Sequence, residues 1–232
     1  KKQHKKLTFI EYAVITGYIL SLAISGVGLL THSSQYHEAV DPVDGDCYLP
    51  FGGKHALSLY IYFVAFNIAT TAIWIKGRKI PPIPLVLALI TLMIGSVISV
   101  FILIQVSHHD TSTLGMYVGN EGTLYFIFTP IFCLYFGISM IWKIVREEKQ
   151  TALTRSYRSP LLNKINHFLA AKLDYPIWAL LFLVPVFLLM TAILILLGQD
   201  GNSMSKVFTE TTTWAFSQKT HPPILDHKGH YL

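Results

Sequence analysis

Five stretches of this sequence each supply about 20 predominantly apolar residues, the length that an α-helix rising about 1.5 Å per residue needs to cross roughly 30 Å of hydrocarbon. They are residues 7–30, 57–75, 83–106, 122–142 and 177–197. Backbone N–H and C=O groups in lipid must pair within their own segment, so spans of this kind are helices. The composition agrees: 52% of the 232 residues are hydrophobic and 13% charged, whereas a soluble domain carries roughly 25% charged residues. Disorder is excluded as well, because a disordered chain is poor in apolar side chains. The expected fold is all-α and integral to a membrane. Five transmembrane helices occupy residues 1–200, and an extracytoplasmic tail follows over residues 201–232.

The first run follows Lys1, Lys2, Lys5 and Lys6. It exceeds the 7 to 15 apolar residues of a signal peptide and reads as an uncleaved anchor. Orientation follows from the basic residues, which are retained on the cytoplasmic side. Four lie in the N-terminus, three in Lys76-Gly77-Arg78-Lys79 and seven between Lys143 and Lys172, leaving only Lys54, Lys206, Lys219 and Lys228 for the other side. This predicts a cytoplasmic N-terminus and an external C-terminus. The formal charge of +5 thereby reflects orientation in the lipid bilayer, and no nucleic-acid partner is expected.

Within the long basic loop, Ser159 can cap a helix that has Pro160 at its first position. Leu161, Leu162, Ile165, Phe168, Leu169 and Leu173 would share one face of it, with Asn163, Lys164, Asn166, His167 and Lys172 on the other. This reads as an amphipathic helix lying in the cytoplasmic interface.

Ionisable residues in a bilayer centre mark ion pathways or proton relays. Glu11 in the first run stands only a turn or so from Lys6, near the inner surface, where it can reach water or pair with a lysine. None of the five cores contains an ionisable residue, which disfavours a proton-coupled transporter. Hydroxyls can bond back to their own helix, so Asn67 is the polar group that needs a partner across an interface. Ala13, Gly17, Ser21 and Ser25 recur every four residues on the first span, and Gly95 and Ser99 offer a shorter version on the third. Small residues in this register let helix backbones approach closely. Pro130 and Pro185 should kink the fourth and fifth spans, and the fifth, otherwise nearly all Leu, Ile, Val and Phe, suits a lipid-facing edge. Cys47 lies in a loop and Cys133 mid-helix, too far apart in depth to bridge.

Eight of the ten histidines fall in the outer segments. His32, His55, His108 and His109 sit at span ends of similar depth, joined by Glu121. Imidazoles and a carboxylate converging from helix ends could bind a metal ion or ligate a haem. Ordinary interfacial histidines are the competing account. His37-Glu38-Ala39-Val40-Asp41 lacks the second histidine of a zinc-protease helix. Asp41 to Asp46 lacks the spacing of a calcium loop, and Gly52 stands where the bidentate Glu would fall. No nucleophile elbow, phosphate-binding loop, dinucleotide fingerprint or paired-cysteine motif occurs.

The stretch from Thr211 to Leu232, TTTWAFSQKTHPPILDHKGHYL, resembles a segment of an uncharacterised family of bacterial multi-pass membrane proteins. In that family the chain continues past Gly-His-Tyr-Leu into a further polar region, whereas here it stops at Leu232, a departure that suggests truncation or disorder there. The resemblance implies a bacterial cytoplasmic-membrane location and no particular activity. The function expected is that of a non-catalytic accessory or assembly subunit, binding other membrane protein subunits through its spans and its outer segments. The alternative is a membrane metalloprotein or haem-binding redox subunit using the outer histidines.

Overall fold

The computed structural model describes residues 9, 12–13, 15–20, 22–23, 55–107, 122–151, 155–210, 215–216 and 218, and every element among them is helical. Helix α1 is the run at residues 15–20. It is followed by α2 (Ala56–Lys76), α3 (Pro82–Ser107), α4 (Gly122–Thr151), α5 (Pro160–Lys172), α6 (Tyr175–Leu196) and α7 (Ser203–Thr209). Four of these, α2, α3, α4 and α6, are long and apolar enough to cross a membrane. The fifth expected crossing, residues 7–30, lies mostly outside the described residues.

The helix ends follow from local chemistry. Gly77, at φ +48°, stops α2 by donating its N–H to the Ile73 carbonyl, a backbone conformation that glycine adopts without a Cβ penalty. One turn of 3-10 helix, Gly77–Lys79, then leads to Pro82 at the start of α3. The fourth span runs past the expected Trp142 because its 30-residue helix has no breaker until after the basic segment. At about 45 Å it is longer than the hydrocarbon is thick. Both Pro130 and Pro185 lie inside continuous helices.

Helix α3 is the centre of the bundle and packs against α2, α4, α5 and α6. Its Leu85, Leu89, Ile90 and Leu92 are fully buried. On α2, the ring of Phe66 fills the space that a Cβ would take at Gly95 of α3, and it lies 3.2 Å from where one would stand at Gly137 of α4. Two glycines from different helices thus form a notch for one aromatic side chain, and dispersion contacts replace the hydrophobic drive that lipid cannot supply. Helix α6 leaves most of its surface outward, including Leu180, Leu181, Val184, Leu188 and Leu189.

Helix α5 begins at Pro160 as expected, but its start is closed differently. The Ser159 side chain makes no capping hydrogen bond. Instead the Asn163 amide turns back to accept from the Tyr157 N–H and donate to the Tyr157 carbonyl. Its faces are also not those of the simple apolar–polar division. Asn166 is 1% exposed, whereas Leu161 and Phe168 are 65% and 59% exposed. Tertiary hydrogen bonding decides this, because the buried Tyr175 hydroxyl at the start of α6 donates to Asn166 Oδ1 at 2.5 Å.

Phe66→Ala should cost about 3 kcal/mol or more, since the emptied notch is backed by glycines that cannot fill it. Thermal unfolding of the purified protein in micelles checks this. Gly95→Leu should be comparably destabilising, because the Phe66 ring already occupies the site.

Candidate functional site

The described side chains with the most polar chemistry meet where α6 ends and the chain turns back over the bundle. Gly198, at φ +88°, donates its N–H to Ile195, and Gln199 donates to Leu194. This is the Schellman arrangement that ends a helix on a left-handed glycine. The reversal carries residues 199–210 across the first turn of α2, so the beginning of the segment expected as a tail is a helix packed on the bundle. Val207 and Phe208 of α7 are buried against Leu59, with Ile98 and Ile102 packed beside them.

His55, immediately before α2 and 1% exposed, is the centre of this contact. Its Nδ1 lies 2.8 Å from Ser203 Oγ. Its Nε2 faces Glu210 at 3.7 Å and Asp200 at 4.0 Å. Lys206 joins the same carboxylates, donating to Asp200 at 2.8 Å and approaching Glu210 at 3.6 Å. One turn further along α2, Ser58 donates to Gln199 Oε1 at 3.2 Å. Gln105, near the end of α3 and also 1% exposed, makes the companion attachment. Its Nε2 donates to the Phe208 carbonyl at 3.1 Å, and its Oε1 accepts from the Phe216 N–H at 2.9 Å. The rings of Phe101, Phe208 and Phe216 close over this bridge with centroids 5.8 to 6.4 Å apart.

A serine 2.8 Å from an imidazole is within nucleophile–base distance. The carboxylates, however, stand beyond hydrogen-bond length from Nε2, and Ser203 is as buried as His55. The arrangement is chemically a latch, which closes polar groups from three segments on one another and holds α7 in place.

The expected site residues are distributed as follows. His32, His108, His109 and Glu121 lie outside the described residues, as do Ser21 and Ser25. Among the described residues, no group of three or more His, Cys, Asp or Glu is arranged to hold a metal ion. Ala13 is exposed. Gly17 faces α4 of the same chain: a Cβ there would stand 2.8 Å from Phe132 Cζ. Next to it, the Tyr18 ring packs on Phe136 at 4.4 Å and its hydroxyl donates to Asn67. Gly95 meets Phe66, and the buried Ser99 hydroxyl bonds back to the Gly95 carbonyl at 2.8 Å. Sequence reasoning missed Gln105. Its signal was a lone amide inside an otherwise apolar run, which fits the end of a span equally well.

The DUF6688 N-terminal domain matches this chain over residues 1–225. The chain belongs to that family. The matched stretch takes in α7 and Phe216, so the latch lies within the DUF6688 N-terminal domain. No curated protein and no solved structure matches the chain.

Gln105→Leu leaves the Phe208 carbonyl and the Phe216 N–H without their side-chain partner, which should cost about 1–3 kcal/mol. Hydrogen exchange should quicken by about tenfold or more in α7 and at Phe216, with the centre of α3 unchanged. Lys206 supplies a pH test. Its hydrogen bond to Asp200, with the charges of Asp200 and Glu210, outweighs desolvation and raises its pKa above 10.5. A raised folded-state value means that the contribution is present below about 10.5 and fades as the pH climbs through the folded value. Lys206→Met should therefore reduce the loss of α7 protection between neutral and strongly alkaline pH.

Proposed function

We propose that this chain is a non-catalytic integral membrane subunit that accompanies or assembles with other membrane proteins. It would sit in a bacterial inner membrane with residues 7–30 as a fifth span, its N-terminus cytoplasmic and its C-terminal segment outside. The observation that carries the subunit reading is the attachment of that segment. Gln105 and His55, both buried, hold α7 and Phe216 at a fixed place on the bundle. A chain that immobilises an extramembrane segment in this way is built to present it. The span cores add no acid or base with which to move a proton.

The orientation draws on the two ends of the bundle. Lys76, Lys79, Lys143, Arg155, Lys164 and Lys172 gather at the end carrying the α2–α3 turn and α5, whereas Lys206 is at the latch. Exposed Trp74 and Trp142 lie toward the basic end, as expected of aromatic residues at an interface. A second reading, a metalloprotein or haem-binding redox subunit, draws on His55 standing within 4.0 Å of two carboxylates. It would recruit His32, His108, His109 or Glu121 to complete a ligand set.

Native mass spectrometry of the gently extracted protein should find the chain bound to a second membrane polypeptide. Gln105→Leu should lower the bound fraction several-fold without unfolding the bundle. Recovery of the chain only by itself would overturn the subunit reading, and a stoichiometric metal or a haem absorption band that disappears in His55→Ala would install the alternative. A reporter fused after Leu232 should be active only in the exported compartment; cytoplasmic activity would reverse the topology.

A further inference from the structure

Helix α5 is held in one rotational setting by contacts on both sides. Asn166 accepts from Tyr175, the Trp178 indole donates to the Leu169 carbonyl at 3.0 Å, and the Tyr157 hydroxyl donates to the Ile80 carbonyl at 3.1 Å beside its start. What α5 turns outward is therefore fixed. That stripe is Leu161, Lys164, Phe168 and Lys172, at steps of three, four and four residues, all exposed. Apolar and basic side chains alternate along it, the pattern in which rings and aliphatic chains enter the headgroup boundary while lysines extend to phosphates.

The stripe is continuous with a surface that faces lipid. The Phe168 ring lies 6.3 Å from that of Trp178, which stacks on Phe182 at 5.7 Å. Phe182 belongs to the outward face of the spanning helix α6. The surrounding charge is basic, with exposed Arg158 and Lys79 at the same end. Among the described side chains, the exposed acid Asp174 lies where α5 meets α6.

We propose that the outward stripe of α5 is a binding site for anionic phospholipid headgroups, with Lys164 and Lys172 meeting the headgroup charge and Leu161 and Phe168 anchored at the acyl boundary. The site rests on the bundle lying in a bilayer, and is independent of the subunit reading.

Trp178 is the built-in probe. A variant keeping only this tryptophan (Trp74→Phe, Trp142→Phe, Trp214→Phe) would be reconstituted with brominated phosphatidylglycerol or brominated phosphatidylcholine at equal mole fraction. Quenching by the anionic lipid should be greater by about twofold or more. Adding Lys164→Gln and Lys172→Gln should bring the ratio to about one, while quenching by brominated phosphatidylcholine persists and shows that the fold is intact. Equal quenching in the parent, or a ratio unchanged by the two substitutions, would overturn the proposal. Absence of quenching by either lipid would also overturn it, and would mean that protein covers the stripe. A variant keeping only Trp142, exposed on α4, reports membrane insertion separately. Failure there would indict the bilayer placement itself.

Discussion

A polar group inside hydrocarbon has no water to bond, and much of the arrangement of this chain follows from where such groups find their partners. The simplest solutions are local. Thr91, Ser96, Ser99 and Thr191 each donate to the carbonyl four residues earlier on the same helix, which leaves the faces they sit on free to pack. Asn67 does the same with its Nδ2, to Phe63 at 2.8 Å, and accepts from Tyr18 with its oxygen. That bond ties the N-terminal helix to α2. For Asn166 and Gln105 a second segment supplies the partner, and these are places where the tertiary structure is fixed. Asn166 with Tyr175 sets the rotation of α5, and Gln105 with Phe208 and Phe216 sets the position of the C-terminal segment.

Close approach of helices is the complement of this satisfaction. Burying apolar side chains against one another yields little over burying them in lipid, so contact has to come from fit. Phe66 between Gly95 and Gly137 is the tightest case, and Gly17 against Phe132 repeats it at the periphery. Both place an aromatic ring where a side chain is missing on the neighbouring helix. The result is graded: α3 is enclosed by its neighbours, while α6 keeps a broad face for lipid.

The two ends of the bundle then differ in chemistry. One gathers His55, Ser203, Asp200, Lys206 and Glu210 into a network beside the end of α6. The other is basic and aromatic and carries a helix along its edge. The first end holds a segment in place, and the second brings basic and aromatic side chains together.

The sequence by itself determined α2, α3, α5 and α6 and their approximate limits, because hydrophobic length and the positions of Gly77, Pro82, Pro160 and Gly198 are local properties of the chain, but it ended α4 at Trp142 and did not show α7. It also showed that Asn67 required a partner. It could not name Tyr18 as that partner, nor show that His55 would meet Ser203, 148 residues away, since spacing carries no information about which helix ends adjoin. Asn166 of α5, expected on the polar face, was misplaced for a related reason. Periodicity sorts residues by polarity, but a single buried hydrogen bond from Tyr175 outweighs it and draws Asn166 inward. Gln105 went unnoticed because its role exists only when a distant backbone arrives opposite its amide. Local chemistry fixed the elements; the pairing of polar groups between segments remote in sequence fixed the site.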